Sequence, residues 1–139
     1  MKLYHAASAV RTSARISVEN VTKQVREAVE ASGVTTGLAV VSVPHTTCAV
    51  AVNEDEAGLR KDILKVAERL LTPLAGTEGF SHDCVDDNAQ AHLTSILFGH
   101  TATVPVSEGG PSLGSWQSIF LIELDGPRTR SVNVTVIGE

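Results

Sequence analysis

The sequence is short of aromatic side chains, of basic charge, of cysteine and of long apolar runs, and each shortage removes a class of function. Tyr4, Phe80, Phe98, Trp116 and Phe120 are its only aromatic residues, too few for a platform on which nucleic-acid bases stack. Eleven Lys and Arg stand against sixteen Asp and Glu, a formal net charge of −5. That balance argues against the clustered basic surface that duplex nucleic acid requires. No apolar run reaches the ~18 residues of a membrane-spanning helix. The opening residues, Met1-Lys2-Leu3-Tyr4-His5, alternate at once and lack the apolar stretch of a secretory signal. The two cysteines, Cys48 and Cys84, are therefore expected in a reducing, cytoplasmic setting without a disulfide. Cys48 shares a strand face with Val50 and Val52 and reads as a buried core thiol. What remains is a cytoplasmic domain whose partner is a small molecule or another copy of itself, with no nucleic acid and no membrane.

What is present suffices for one core. The 139 residues are 42% apolar and 19% charged, and a domain of this length buries roughly two-thirds of its unfolded surface. A single domain over residues 1–139, folded without disulfides, is expected. Strand patterns cover Leu3 to Val10, Ile16 to Val18, Thr36 to Val43, Thr46 to Val52, Thr101 to Val106, Ser118 to Leu124 and Arg130 to Ile137. Val21, Val25, Ala28 and Val29 form one helical stripe, with Asn20 as N-cap and Gly33 as stop. Leu59, Ile63, Val66 and Leu70 form a second, capped by Asp55 and ended at Thr72-Pro73. A third helix opens on an Asp87/Gln90 capping box and runs through Phe98 to Gly99. The pattern predicts an α+β fold, sandwich-like, with mainly antiparallel sheets and about three helices.

Three histidines sit where this arrangement makes their direction matter. His45 follows Pro44 between two strands, on the face of Thr47, Ala49 and Ala51, whose small side chains are expected to leave space. His92 lies one turn after Asn88 and one turn before Ser95, a polar strip opposite Leu93, Ile96 and Leu97. His82 stands in the loop that enters this helix. Three imidazoles without a fourth ligand match an ion with an open coordination position, although the spacing 45…82…92 fits no local metal motif and solvated or core histidines fit it as well. Glu54, at a strand end, is a candidate general base or a member of the acidic helix start Glu54-Asp55-Glu56. The loop from Glu108 to Gln117 carries three glycines and one proline but no nucleotide-binding fingerprint. Trp116 and Gln117 are candidate ligand contacts there, or hairpin packing. Arg128, after the turn Asp125-Gly126-Pro127, suits a phosphate or carboxylate, or an exposed ion pair.

Taken in order, Pro44-His45-Thr46-Thr47-Cys48-Ala49 with Asn53-Glu54, then His82, then Asn88-Ala89-Gln90-Ala91-His92, then Leu113-Gly114-Ser115-Trp116-Gln117 and Asp125-Gly126-Pro127-Arg128 resemble the YjbQ family. The resemblance runs from about residue 3 to Gly138. Ser115 stands where Thr usually precedes the tryptophan, and Gly109-Gly110-Pro111 is an unusual lead into that segment. The resemblance implies a YjbQ-like α+β sandwich that associates as a homotrimer with its sheets around the threefold axis. It implies a divalent metal ion, zinc first, on His45, His82 and His92. Glu54 and Asn88 are the candidate catalytic residues, with Thr46, Thr47, Trp116, Gln117 and Arg128 as candidate substrate contacts. The family's weak, secondary thiamine-phosphate synthase activity implies the joining of a hydroxymethylpyrimidine diphosphate to a thiazole phosphate. Three imidazoles suit that reaction poorly, because a diphosphate substrate calls for Mg²⁺ on oxygen ligands. A metal-dependent hydrolase or lyase, and a non-catalytic trimeric protein binding a metal or small ligand, are the alternatives.

Overall fold

A computed structural model describes residues 1–139. Strands β1 (Lys2–Arg11), β3 (Thr36–Ser42), β5 (Thr101–Ser107), β6 (Gly110–Pro111) and β8 (Thr129–Gly138) form a five-stranded sheet in the order β1-β8-β3-β5-β6. Strands β2 (Ser17–Asn20), β4 (Cys48–Glu54) and β7 (Gln117–Glu123) form a second sheet, β2-β7-β4. Every pairing is antiparallel, and the expected α+β sandwich of mainly antiparallel sheets with three helices is what is found.

The period-2 alternation of the strands decides which side chains meet. Val132, Val134 and Val136 of β8 turn inward with Ala39, Val41, Val104 and Val106 of the same sheet. They meet Cys48, Val50, Ile119 and Leu121 from the other sheet and the stripe Val21, Val25, Ala28 and Val29 of α1 (Thr22–Ser32). The opposite face of the small sheet carries Val18, Ala49, Phe120, Ile122 and Leu124 and builds a second core. Ala67 of α2 (Ala57–Arg69) and Ala91 of α3 (Ala89–Phe98) complete it. The first core thus lies between the sheets, and the second lies between the small sheet and two helices.

Helix starts differ from expectation by small steps with clear causes. Asn20 does bond the first turn of α1, its Oδ1 accepting the Thr22 N–H at 3.0 Å, yet the N-cap position falls on Val21. The cap of α2 is Glu56 rather than Asp55: its carboxylate accepts the N–H groups of Gly58 and Leu59 at 2.8 and 2.7 Å. Asp55 is drawn instead into a bidentate pair with Arg60 and a bond from Asn20. At α3 no Asp87 capping box forms. Asn88 is the N-cap, and the Ala89 N–H is taken by Asp83 Oδ1 at 3.0 Å. Gly33 stops α1 in the left-handed region, at φ 65°, as expected.

The orientation of α3 departs from the usual apolar-side-in arrangement. Ala49 does not leave an open space, being fully buried so that the helices approach the sheet, whereas Ala51 borders an open apolar groove. Close approach admits only small residues, so Ala91, Thr94 and Ser95 face in, and the Ser95 hydroxyl donates to the Cys48 carbonyl at 2.7 Å. The larger Ile96 and Leu97 are left 77% and 61% exposed. The polar strip therefore points inward along β4, and the apolar side of α3 points out.

Candidate functional site

The strip ends at a cleft of about 460 Å³ where four chain segments converge. Pro44 stops β3, because it cannot donate to the ladder, and the chain turns through His45, Thr46 and Thr47 into β4. The N-terminal turn of α3 brings Asn88 and His92 from the other side, and Asp86 from the preceding loop. The β7–β8 turn supplies Asp125 and Arg128, and β8 supplies Arg130. Apart from Pro44 every residue lining this cleft is polar or charged, so it suits a polar ligand.

Beneath it lies a buried ion pair. Arg130 donates through Nε to Glu123 Oε2 at 2.7 Å and through Nη2 to Glu123 Oε1 at 2.6 Å. The same Nη2 reaches the Thr47 hydroxyl at 2.8 Å and the Thr47 carbonyl at 3.2 Å. Both side chains are almost wholly shielded from water, so the geometry must compensate a large desolvation cost. Burial pushes the Glu123 carboxyl up, but the Arg130 guanidinium and the Asp125 N–H outweigh it and hold the group below its ordinary value. The pair fixes the His45–Thr47 segment to β7 and β8. Sequence reading passed over Glu123 as a site residue, although a lone carboxylate at the end of the apolar run Ile119-Phe120-Leu121-Ile122 signals a buried partner.

The histidines are placed unequally. His82 and His92 meet edge to face with ring centroids 4.8 Å apart. His82 Nε2 lies 3.1 Å from Asn88 Oδ1, and Asn88 Nδ2 donates to Asp125 Oδ2 at 3.0 Å. His45 lines the same cleft, but its Nε2 accepts the Ser131 N–H at 2.9 Å. Burial, and then the Arg130 charge, hold its pKa below the ordinary imidazole value. As a donor set, three imidazoles suit a borderline transition ion. Their placement does not: no three His, Cys, Asp or Glu side chains stand where they would hold one ion together, and the His45 Nε2 lone pair is already taken. A three-histidine metal centre does not fit this arrangement.

Of the other expected site residues, Thr46, Thr47, Asn88 and Arg128 reach the cleft. Arg128 donates to the Asp125 carbonyl at 2.8 Å and to its carboxylate at 3.2 Å, and its side chain stays more than half exposed. Glu54, Trp116 and Gln117 do not reach it. Glu54 pairs with Gln117 at the far end of the β4–β7 ladder, about 20 Å along the strand from Cys48. Gln117 folds back on its own loop, its Oε1 accepting the Gly114 N–H at 2.8 Å, and Trp116 is 76% exposed. Cys48 is buried as expected, and burial pushes its thiol up to about 11, so it is a packing group rather than a nucleophile. A separate apolar groove of about 350 Å³ lies between α2, Phe98 and Phe120, away from these groups.

Residues 6–139 match the model of the family described as UPF0047 protein YjbQ-like. The chain belongs to that family. A UPF0047 protein from Archaeoglobus fulgidus is 43% identical over 128 residues, covering 92% of this chain and 97% of the relative. One from Methanothermobacter thermautotrophicus is 40% identical across 100% of this chain and 95% of its own. Among solved structures, a YbjQ-like protein of unknown function from Sulfolobus solfataricus superposes with a TM-score of 0.93 at 39% identity, covering 99% of both chains. The YjbQ-family segments quoted from the sequence fall on two places: the cleft takes the His-Thr-Thr, Asn-x-x-x-His and Asp-Gly-Pro-Arg segments, and the far ladder end takes Asn53-Glu54 and the Trp-Gln segment. No helix in this YjbQ-family chain is long and apolar enough to cross a membrane.

Proposed function

We propose that the His45–His92–Arg128 cleft binds a small cytoplasmic molecule through a phosphate or carboxylate, and that its histidines handle a proton of that molecule in a hydrolysis or lyase reaction. The convergence of four chain segments on one predominantly polar cleft carries this reading. The two arginines divide the work. Arg130 is neutralised by Glu123 and acts as scaffold, while Arg128 keeps its outer guanidinium face free for an anion. One available cation favours a single phosphate or carboxylate over a diphosphate. The thiamine-phosphate synthase reaction is the second reading in the same cleft: Arg128 supports it, because departing pyrophosphate needs a positive group. A divalent ion such as zinc, in either reading, belongs on the adjacent His82 and His92. Binding without turnover is the third outcome.

The chain is also proposed to act as a homotrimer. The outer face of the five-stranded sheet presents Leu3, Ala7, Ala9, Leu38, Val40 and Ile137 among the small polar Ser131, Asn133 and Thr135, and exposed apolar residues gathered on one face support a partner there. The experiment is calorimetric titration of the purified protein with orthophosphate and pyrophosphate, beside elemental analysis and a turnover screen with and without added zinc. Orthophosphate binding that Arg128→Ala weakens by about tenfold or more supports the reading. Binding unchanged in that variant contradicts it.

A further inference from the structure

Two hydrogen bonds decide which nitrogen carries the proton on each side of the cleft. A backbone amide only donates, so the 2.9 Å contact from the Ser131 N–H requires a lone pair on His45 Nε2. The single proton of the neutral ring then sits on Nδ1, and no protein group accepts it. Across the cleft the logic starts at Asp125. Its carboxylate only accepts, and it already meets Arg128, so Asn88 must turn its NH₂ toward it. The amide oxygen of Asn88 is what remains for His82, and His82 Nε2 must therefore donate. A neutral His82 keeps its lone pair on Nδ1.

We infer that the two histidines are locked in opposite tautomers: His45 carries its proton on Nδ1, a donor for a ligand oxygen rather than a lone pair for a metal, while His82 carries its proton on Nε2. Asn88 and the Ser131 amide are positioning groups that act through the rings. The direction of the His45 shift agrees, since an imidazolium there would set N–H against N–H beside the Arg130 charge. Such a donor fits a phosphoryl or carboxylate oxygen and does nothing for a cation. The assignment rests on reading the cleft as the ligand site only for its use, not for its existence.

Long-range ¹H–¹⁵N correlation spectra of the histidine rings at neutral pH, with chelator present, read the tautomers directly. His45 peaks are assigned by their loss in His45→Gln, and those of His82 by their loss in His82→Gln. The expected pattern is a proton on Nδ1 for His45 and on Nε2 for His82. A proton on Nε2 of His45, or averaging between tautomers, overturns the inference. Addition of orthophosphate alone should shift the His45 Nδ1 proton; no shift with the tautomers intact refutes the cleft reading and leaves the assignment standing. With zinc alone, His45→Ala should retain whatever metal the native protein retains, whereas loss equal to that of His92→Ala overturns it.

Discussion

Replacing Arg130 by Met removes one charge of a pair that water does not reach, and the cost follows from what is left behind. Glu123, with no exposed surface, would face a hydrocarbon chain in place of two guanidinium N–H groups at 2.6 and 2.7 Å. Breaking a buried pair in this way costs about 3–5 kcal/mol. At about 2.1 cal/mol/K per residue, a chain of 139 residues gains about 0.3 kcal/mol/K on unfolding, so Tm should fall by about 10–17 °C. Thermal melts at fixed protein concentration, checked by urea unfolding, read this. The double variant Arg130→Met/Glu123→Leu should recover most of the loss, because an apolar pair avoids the desolvation cost. The pH dependence has a definite sign. In the native protein Glu123 is held below its ordinary value, so its contribution is full above the unfolded value of about 4.3 and fades as pH falls through the folded value. In Arg130→Met burial is opposed only by the Asp125 N–H and the Thr12 hydroxyl, the folded value rises, and the penalty is present at neutral pH and fades on acidification. The stability gap between the two proteins should therefore begin to narrow above about pH 4.3, as the variant's raised carboxyl takes up its proton, and narrow further below it as the native carboxylate protonates. A loss under about 1 kcal/mol, typical of an exposed pair, or a gap that ignores pH would refute the reasoning.

Other outcomes follow from the same structure. Ala49→Leu forces a larger side chain between β4 and the helices and should cost about 1–3 kcal/mol in urea unfolding, whereas Ile96→Gln on the exposed side of α3 should leave monomer stability nearly unchanged. Arg128→Ala should weaken orthophosphate binding by about tenfold to a hundredfold in calorimetry, the worth of a charge-assisted bond, without moving Tm appreciably. Arg60 and Asn20 hold the Asp55 carboxyl down at about 2; Asp55→Asn should therefore flatten the acid limb of the stability curve between the unfolded value of about 3.9 and pH 2. Val40→Glu, in the middle of the outer sheet face, should convert the proposed trimer to monomer in light scattering coupled to size exclusion, while a native protein that already runs as a monomer would refute that assembly.

The strands of the large sheet were legible because each pairs one buried and one open face, with Val132, Val134 and Val136 alternating without exception. Strands β4 and β7, covered on both faces, were legible as short apolar runs. Helix α3 was not legible in the same way. Large apolar residues normally mark the buried side, but Ala49 brings the helix too close to the sheet for Ile96 or Leu97, so Ser95 and Thr94 take the inner side. Asp55 was an acceptable N-cap by residue type, yet Arg60 competed for it and the longer Glu56 took the amides. In the site, the order of motifs pointed to His45, Asn88, His92 and Arg128, and all four line one cleft. Glu54 and Trp116 belonged to the same set of motifs but sit at the other end of the ladder, a separation that spacing along the chain does not reveal. The scaffold beneath the cleft was legible in principle, in the single carboxylate that closes β7.

The central claim is that the ligand site is this polar cleft, and chemical-shift mapping of ¹⁵N-labelled protein titrated with orthophosphate tests it most directly. The account predicts saturable changes at Thr46, Thr47, Asn88, His92 and Arg128. Changes confined to the apolar groove beside Phe98 or to the Glu54–Trp116 end, or no saturable change anywhere, would contradict it.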